Sequence, residues 1–449
     1  MPETSRRGLF RTGAAAFAGV LAGLGRKSPE AEAHVPLTPA SRWDDEYTFG
    51  HTQLFMEEYH QGTLEILGRQ AGELDHIGEL TSRAASVIRN GGTVWTWMTL
   101  GHMPGAEQKE TRRGSPRIMK DFHDFSVVKK GDMVFTDRCN REVYAARERG
   151  AYVVCVTTNY QDNEFRPAGF TDPSHAHPDG LFLKDVSNDI LHSHTPYTQG
   201  LVHAPEIPEF AICPSAGTGS GSTHWMLNAE LANKVAHSRA PDVAKSGEYL
   251  RILRDRVERI REHMPRLREA AVSMARRIRA GGRWFARSIE HPGFQSEFHV
   301  ASGVRVVNWG DWDASKEKNV FLVTAIAPAY REEVDLARRK QIEGAFVVGI
   351  APGELDGVAP RGRLIDVADT GFDTFSPESS GVIRIDGRDD TICPTSGIIG
   401  NVIQQMLVAQ WADEMVRRGS VPYFLMGIYQ QGGQEYNAAM TRVFERQGF

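Results

Sequence analysis

Apolar residues recur three and four positions apart along two long stretches of this chain, which is the spacing of one face of an α-helix. The first stretch covers residues 64–88 and the second covers residues 253–278. Each is followed by a Gly-Gly pair, at 91–92 and at 281–282. Glycine adopts the left-handed conformation that often ends a helix, so both helices are predicted to end at these pairs.

Short continuous apolar runs alternate with further helical stretches in each half of the chain. The predicted strands are 93–98, 132–136 and 152–156 in the first half and 283–286, 320–323 and 346–350 in the second, and the helices between them are 141–149 and 332–343. Continuous apolar strands joined through helices indicate parallel sheets buried on both faces, with right-handed crossovers. Each half is therefore predicted to be a three-layer α/β/α sandwich that binds ligands at the carboxyl ends of its strands.

Several motifs occur twice in the same order, which indicates an internal repeat. The clearest pairs are IRNGG at 88–92 with IRAGG at 278–282, and ICPSAG at 212–217 with ICPTSG at 392–397. The chain is therefore interpreted as two homologous domains, 54–240 and 241–449, related by a pseudo-two-fold axis.

The first 33 residues have the pattern of an export signal. Arg6 and Arg7 precede an apolar stretch at 13–24, and a small-x-small cleavage site follows at 31–33. This is the twin-arginine type of signal, and its apolar stretch is about half of the ~20 residues that a membrane span needs. We expect a signal peptide at 1–33, a linker at 34–53, no stable membrane span and a periplasmic or other extracytoplasmic location. The alternative is a chance Arg-Arg pair before an Ala-rich tail.

Composition narrows the classes of function. The chain has 449 residues, of which 41% are hydrophobic and 24% charged, as in soluble globular proteins of two ordinary domains. Its net charge of -5 gives no basic surface for nucleic acid. It has no dinucleotide-binding fingerprint and no P-loop, so no cofactor is expected. The four cysteines include no C-x-x-C pair, and the sequence does not determine whether any two are bonded.

The layout resembles a tandem pair of SIS (sugar isomerase) domains, as in phosphoheptose isomerases and the isomerase half of glucosamine-6-phosphate synthase. The matching features are the helices that end in x-Gly-Gly, the run 128–134 before a helix that ends at 149–151, and the late loop CPSAGTGSGST at 213–223. The resemblance covers about Leu54 to Met415. It implies a sugar or sugar derivative as the small-molecule ligand and an isomerase-like reaction by proton transfer.

One segment departs from the family pattern. Phosphosugar-binding members carry Ser-x-Ser-Gly-x-Thr after the second strand, where hydroxyls and backbone amides at a helix N-terminus hold the phosphate. This chain has TDRCNRE at 136–142 and TAIAPAY at 324–330 instead. Asp137 would repel a phosphate, although Arg138 could offset it. Together with the predicted export, this favours an unphosphorylated or otherwise modified sugar, with Asp137 and Arg138 as ligand-binding candidates.

Three residues are catalytic candidates: His102, His291 and Glu297. The two histidines occupy equivalent turns after the first strand of each half. Imidazole titrates near neutral pH and could move a proton between oxygen and carbon during aldose–ketose isomerisation. The alternative is a turn histidine bonded to its own backbone. Glu297 matches the glutamate of a Gly-x-Gly-His…Glu…Ala-Gly-Gly pattern that the resemblance implies.

The late loop of each half is the predicted ligand cradle. The hydroxyl groups of the first-half loop belong to Ser215, Thr218, Ser220, Ser222 and Thr223. Hydroxyls and glycine backbone at the start of a helix suit the hydroxyls or anions of a ligand, whereas a simple N-cap needs only one such side chain. The second-half loop contributes Thr395 and Ser396 but is more apolar. We therefore expect either one competent site or one site shared at the interface of the halves.

His192 and His194 could ligate a metal through alternate side chains of an extended segment, although such pairs on loops are usually solvated. Two other functions stay open: a non-catalytic sugar-binding or sensing module, and a metal-assisted lyase or hydrolase. SIS domains pair across a two-fold axis, and the second half can supply that partner internally. A homo-oligomer of whole chains also stays open.

Overall fold

The computed structural model describes most of the chain after residue 53. The described residues are 54–98, 109, 111–157, 181–196, 198–237, 243–288, 297–298, 300–305, 307–308, 318–355, 357–377, 381–427, 430 and 432–449. All of them belong to one compact unit, Thr38–Phe449. The predicted signal peptide and linker, and the catalytic candidates His102 and His291, lie outside the described residues.

The two halves have the same succession of elements. The first half contains α1 (Phe55–Gln70), α2 (Leu74–Arg89), β1 (Val94–Trp97), β2 (Lys120–Asp121), β3 (Met133–Thr136), α3 (Arg141–Glu148), β4 (Tyr152–Val156), α4 (Leu183–Val186), β5 (Asp189–Leu191), β6 (Gly200–Val202), β7 (Ile212–Pro214) and α5 (Ala216–Ala236). The second half contains α6 (Ala244–Arg259), α7 (Met264–Arg279), β8 (Trp284–Ser288), β9 (Val307–Asn308), β10 (Val320–Thr324), α8 (Arg331–Ile342), β11 (Phe346–Ala351), α9 (Leu364–Val367), β12 (Thr370–Asp373), β13 (Ile383–Arg384), β14 (Thr391–Ile392) and α10 (Ser396–Arg417). A last helix, α11 (Gly433–Gln447), follows.

Each half contains one parallel sheet, and the strand order is the same in both. The orders are β2-β1-β3-β4-β5 and β9-β8-β10-β11-β12, and every pairing within them is parallel. The predicted α/β class with parallel sheets is confirmed. Each half also has a short antiparallel ribbon, β6-β7 or β13-β14.

Side chains on the central strands alternate between two cores, which makes each half a three-layer sandwich. Met133 and Phe135 of β3 face a large core that contains residues of both halves, whereas Val134 faces a smaller core beneath α3 and α4. The second sheet repeats this arrangement, with Leu322 in the large core and Phe321 in the core beneath α8 and α9. The large core therefore joins the two sandwiches.

The helices of the large core cross between the halves. Helix α1 packs against α10, and α6 packs against α5. Such reciprocal contacts are those of an arrangement with approximate two-fold symmetry. Helix α10 is buried along its whole length of 22 residues, and α5 is buried from Ala216 to Lys234. The predicted domain boundary at 240–241 falls between α5 and α6, the two helices that pack on each other.

The structure differs from the sequence prediction at the long amphipathic stretches. Each was predicted as one helix but forms two, joined by 3₁₀ turns at Ala71–Glu73 and Ile260–His263. In the second half the break precedes Pro265, and proline is favoured in the first turn of a new helix. In the first half it falls at Gly72, a poor helix former.

Two observations bear on the cysteine and membrane expectations. All four cysteines, Cys139, Cys155, Cys213 and Cys393, are described and are buried free thiols. Across the described part of the chain, each helix is either too short or too polar to cross a membrane.

The shared core predicts that the halves unfold together. Leu407→Ala removes a fully buried side chain from α10, which packs on α1 of the first half and α7 of the second. We expect a loss of about 2–5 kcal/mol in the free energy of unfolding. Thermal unfolding followed by circular dichroism should show one transition at a lower Tm. The control Ile342→Ala, at a side chain 88% exposed, should change the stability by less than about 0.5 kcal/mol. Two separate transitions in Leu407→Ala would contradict a common core.

Candidate functional site

The N-terminus of α5 lies at the meeting point of the two halves. The hydroxyl of Tyr59, on α1, donates to the carbonyl of Pro214 at 2.9 Å. Ser215 precedes α5, and its Oγ donates to the carbonyl of Gln199 at 2.7 Å. These bonds fix the end of β7 and the start of α5 against α1 and the segment before β6.

A segment of the second half reaches this point. The amide of Cys213 donates to the carbonyl of Ser302 at 2.8 Å, and the Ser302 hydroxyl donates to the carbonyl of Thr198 at 2.6 Å. A Cβ atom on Gly303 would lie 2.9 Å from the carbonyl oxygens of Glu297 and Phe298, so this tight turn requires glycine. The Ala-Ser-Gly turn of the second half therefore rests against the first half, together with Glu297.

Glu297 is fully buried, and its carboxyl group influences the pKa of Tyr59 electrostatically. Burial raises the pKa of the Tyr59 phenol well above its ordinary value, and the nearby Cys213 and Glu297 raise it further. The Thr218 hydroxyl acts in the opposite direction on this pKa, although its geometry falls outside that of a good hydrogen bond. The phenol is therefore held in its protonated form beside a carboxylate from the other half.

The predicted cradle hydroxyls divide into two groups. Ser222 Oγ donates to Gln70 Oε1 at 2.7 Å, and Thr223 Oγ1 donates to the Gly219 carbonyl at 2.9 Å. Gln70 also donates to Thr223 Oγ1 at 3.2 Å. Ser222 and Thr223, like Ser215, are therefore used within the protein to hold α5 in place.

Three polar side chains at the start of α5 are buried without a hydrogen-bond partner among the described residues. They are the Thr218 hydroxyl, the Ser220 hydroxyl and both amide atoms of Gln199. Buried polar groups are nearly always satisfied by protein, water or ligand, so these three side chains are candidate ligand-binding groups. We call Tyr59, Gln199, Thr218, Ser220 and Glu297 the α5 site.

The start of α10 repeats the backbone of the α5 site with different side chains. The Tyr249 hydroxyl donates to the carbonyl of Pro394 at 3.0 Å, and the amide of Cys393 donates to the carbonyl of Gly114 at 2.8 Å. Both cysteines that end the ribbons have left-handed backbone, with φ of 64° at Cys213 and 60° at Cys393. The two halves therefore share one backbone frame at these points.

The side chains around α10 are cationic. Arg256 donates to the Thr395 hydroxyl, which is also 2.9 Å from Ser376 Oγ. Arg112 comes from the first half, and its Nη2 lies 3.5 Å from Ser396 Oγ. Burial lowers the pKa of Arg256 below its ordinary value. The loop around Thr395 is itself apolar, as its sequence indicates, but other segments bring two guanidinium groups to it.

Asp137 and Arg138 lie at the carboxyl end of β3, where a parallel sheet places its ligands. Asp137 is fully buried. The Arg138 guanidinium stacks 4.1 Å from the ring centre of Trp97, at the end of the neighbouring strand β1. This cation–π contact holds Arg138 across the carboxyl edge of the sheet.

His192 and His194 lie side by side after β5, with ring centres 5.9 Å apart. His194 Nε2 lies 2.9 Å from Glu73 Oε1, and His76 Nε2 lies 3.1 Å from Asp189 Oδ1. Within the described residues, no group of three or more histidine, cysteine or acidic side chains is arranged to hold a metal ion. His194 is instead part of a polar network that links α2 to the end of β5.

Several site residues were missed by sequence reasoning. Tyr59 and Tyr249 were detectable, because each follows a glutamate and the two Glu-Tyr pairs lie about 190 residues apart, as the other repeats do. Arg112, Arg256 and Gln199 have no such signal, since their role depends on contacts between distant segments.

Comparison with known proteins gives limited similarity. No protein-family model matches the chain. A UPF0309 protein of Brucella anthropi is 23% identical over 133 residues, which are 29% of this chain and 55% of that protein. The chain thus spans about half the length of the curated relative it matches.

Solved structures that the chain resembles include proteins described as phosphosugar isomerases. A candidate phosphosugar isomerase from Clostridium difficile 630 has a TM-score of 0.47 at 10% identity, over 82% of this chain and 96% of that one. Another, from Silicibacter pomeroyi DSS-3, has a TM-score of 0.46 at 11% identity, over 82% and 99%. The C-terminal domain of glucosamine-fructose-6-phosphate aminotransferase from Francisella tularensis has a TM-score of 0.45 at 8% identity, over 83% and 98%. Likeness at this level assigns no role to any residue of this chain.

The raised pKa of Tyr59 predicts a change in alkaline stability. The unfolded chain releases the tyrosine proton above about pH 10, while the folded protein retains it, so the folded protein loses stability as pH rises past that value. Tyr59→Phe should lower the free energy of unfolding by about 0.5–1.5 kcal/mol at neutral pH, because the hydrogen bond to Pro214 is gone. Between neutral and alkaline pH, the free energy of unfolding of this variant should fall less than that of the wild type. Urea unfolding from about pH 8 to about pH 11 measures both effects. Tyr144→Phe, at a side chain 40% exposed, is the control and should keep the wild-type pH dependence. An unchanged alkaline loss in Tyr59→Phe would contradict the assignment.

Proposed function

We propose that this protein binds a sugar or sugar derivative at the α5 site and isomerises it by proton transfer. The observation that carries the proposal is a buried carboxylate, Glu297, that one half delivers to a set of unpartnered polar groups in the other. The proposal includes the tandem SIS arrangement, for which the repeated element order is the support. It also includes export through the predicted twin-arginine signal, for which the support is the N-terminal sequence.

The ligand class follows from the groups at the α5 site. Thr218 and Ser220 offer hydroxyls, and Gln199 offers an amide that can both donate and accept. Tyr59 stays protonated, and its oxygen has lone pairs for a further bond. Such neutral groups match the hydroxyls of a sugar. The negative charge of Glu297 disfavours a phosphate at this position, which supports an unphosphorylated or otherwise modified sugar.

The reaction follows from the carboxylate. Aldose–ketose isomerisation removes a proton from the carbon next to the carbonyl and returns one to the neighbouring carbon, while a proton also moves between the two oxygens. A carboxylate can act as the base at carbon and can exchange its proton with solvent between turnovers. Glu297 is the proposed base. His102 and His291 keep their predicted role in moving the proton between oxygens, and Asp137 and Arg138 their predicted contact with the ligand.

Replacement of Glu297 tests the proposed base. A thermal-shift screen of unphosphorylated and phosphorylated sugars identifies a ligand, and NMR in D₂O then follows proton exchange at its carbon. Glu297→Gln should bind that ligand within about threefold of wild type but slow the exchange by at least ~10²-fold, the usual size of general-base catalysis. Glu332→Gln, at an exposed glutamate of α8, is the matched control.

Each other result has a meaning. If Glu297→Gln exchanges the proton at carbon at the wild-type rate, the base is another residue. A ligand that binds but never exchanges would make the protein a sugar-binding or sensing module. Stronger stabilisation by phosphorylated than by unphosphorylated sugars would contradict the proposed ligand class, and a metal found in the purified protein would favour lyase or hydrolase chemistry.

The unpartnered hydroxyls give a second test, which separates binding from stability. Thr218→Val and Ser220→Ala remove buried hydroxyls that bond to nothing in the described residues, so neither should destabilise the free protein. Each should weaken sugar binding about tenfold, as the loss of one hydrogen bond does. Ser222→Ala is the control, since it breaks the bond to Gln70 and should lower Tm without a direct effect on affinity. Lower Tm with unchanged affinity in Thr218→Val would contradict its role as a ligand-binding group.

A further inference from the structure

One side chain of the α5 site is unfavourable for the folded protein on two counts. Gln199 is fully buried, and neither Oε1 nor Nε2 of its amide has a hydrogen-bond partner in the described part of the chain. Its φ is 68°, in the left-handed region that favours glycine. An unpaired buried amide and a left-handed glutamine both destabilise the fold, and strain of this kind is found at functional sites. The amide is therefore available to a ligand.

The backbone of Gln199 is held in place by the start of α5 and by the second half. Its carbonyl accepts from the amide of Ser215 at 2.9 Å and from Ser215 Oγ at 2.7 Å. The carbonyl of the preceding residue, Thr198, accepts from the Ser302 hydroxyl at 2.6 Å. The side chain of Gln199 thus starts from a fixed point beside the turn of the second half that lies against Glu297.

The proposed reaction, on which this inference rests, creates a negative charge that the α5 site must stabilise. When the base removes the proton at carbon, the electrons of the C–H bond form a carbon–carbon double bond, and the carbonyl oxygen becomes negative. No member of the α5 site is positively charged, and the Tyr59 phenol already donates to the Pro214 carbonyl. Neutral donors must therefore stabilise the oxyanion, and the Gln199 amide has two N–H groups for this purpose.

The amide also matches the hydroxyl that neighbours the carbonyl. In an α-hydroxycarbonyl, one oxygen accepts a hydrogen bond and the adjacent oxygen donates one, and the enediolate formed by proton removal keeps this pattern. The amide of Gln199 presents the complementary pair, an N–H donor beside an oxygen acceptor, in one plane. The hydroxyls of Thr218 and Ser220 rotate and serve as donor or acceptor, so they select this pattern less strictly.

We propose that Gln199 is a catalytic residue that recognises the α-hydroxycarbonyl of an open-chain sugar and stabilises its enediolate. Nε2–H donates to the carbonyl oxygen as that oxygen becomes negative, and Oε1 accepts from the adjacent hydroxyl. The hydroxyl proton then moves to the first oxygen, the second oxygen forms the new carbonyl, and the base returns its proton to the first carbon. The substrate class is therefore a reducing sugar, and glycosides and sugar alcohols are excluded.

A small enediolate analogue tests the recognition. Glycolohydroxamate carries the two adjacent oxygens of the enediolate without the rest of a sugar, and ethylene glycol carries two hydroxyls without the carbonyl. The titration is followed by ligand-observed NMR on the full chain, in EDTA so that no chelated metal contributes. At millimolar concentration we expect glycolohydroxamate to bind and ethylene glycol not to bind.

Gln199→Met removes the amide but keeps the length of the side chain and its Cβ atom, so the backbone conformation is equally strained in both proteins. It should weaken glycolohydroxamate binding at least ~10-fold, because two hydrogen bonds are lost. It should slow proton exchange at carbon, measured with each reducing sugar of the thermal-shift screen, by about 10²-fold, the usual effect of losing one oxyanion donor. Its Tm should equal or exceed that of the wild type, because an unpaired buried amide is gone.

Gln410→Met is the matched control. Gln410 is also fully buried, but its Nε2 lies 3.3 Å from Asp413 Oδ2 near the end of α10. This variant should lower Tm and leave both glycolohydroxamate binding and proton exchange at the wild-type level.

The outcomes separate this inference from the proposed function. Absence of exchange in the wild type would contradict the proposed function and this inference with it. Exchange at the wild-type rate in Gln199→Met, or no binding of glycolohydroxamate to the wild type, would overturn the role of Gln199 and leave the proposed function standing. A lower Tm in Gln199→Met with unchanged glycolohydroxamate binding would make Gln199 a structural residue.

Discussion

One type of backbone hydrogen bond joins the two halves at the starts of α5 and α10. The amides of Cys213 and Cys393 each donate to a carbonyl of the opposite half, Ser302 or Gly114, at 2.8 Å. Each bond fixes a loop of one half next to the start of α5 or α10 in the other half. Breaking the hydrogen bond of a buried backbone amide is costly, so these bonds hold the crossing loops firmly in position. Glu297 and Arg112 both depend on it for their positions.

The starts of α5 and α10 share one backbone arrangement but differ in the charge of the side chains around them. At α5, the crossing loop brings a carboxylate to neutral hydroxyl and amide groups. At α10, the crossing loop brings a guanidinium, and Arg256 adds a second from α6. The starts of α5 and α10 therefore present different chemical groups on equivalent backbones. The difference between the halves lies in a few side chains of the crossing loops and of helices α5 and α6.

Much of the fold could be predicted from the sequence, because strands and helices are set by local patterns. The runs at 132–136 and 346–350 became β3 and β11 nearly to the residue, and Gly91 and Gly281 end α2 and α7 in left-handed conformation. Packing partners could not be predicted in this way. An apolar helix face does not reveal whether it packs on its own sheet or on the other half. The sequence pattern therefore does not predict that α1 packs against α10.

The candidate site could also be predicted only in part, because contacts between distant segments cannot be read from local patterns. The late loop was proposed from residue type and Glu297 from the family pattern that the sequence resembles, but a run of hydroxyls does not show which are used internally. Hydrogen bonds to Gln70 and to the Gly219 carbonyl separate Ser222 and Thr223 from Thr218 and Ser220. The roles of His102 and His291 stay predictions, since neither lies among the described residues.

The crossing loops have a consequence for how the protein works at low abundance. When two separate chains must complete each other's site, the occupied fraction falls as the chains dissociate on dilution. Here the completing residues are tethered to the same polypeptide, so their effective concentration is fixed by the covalent link. Each molecule therefore brings its own Glu297 to the proposed α5 site, whatever the concentration of the chain.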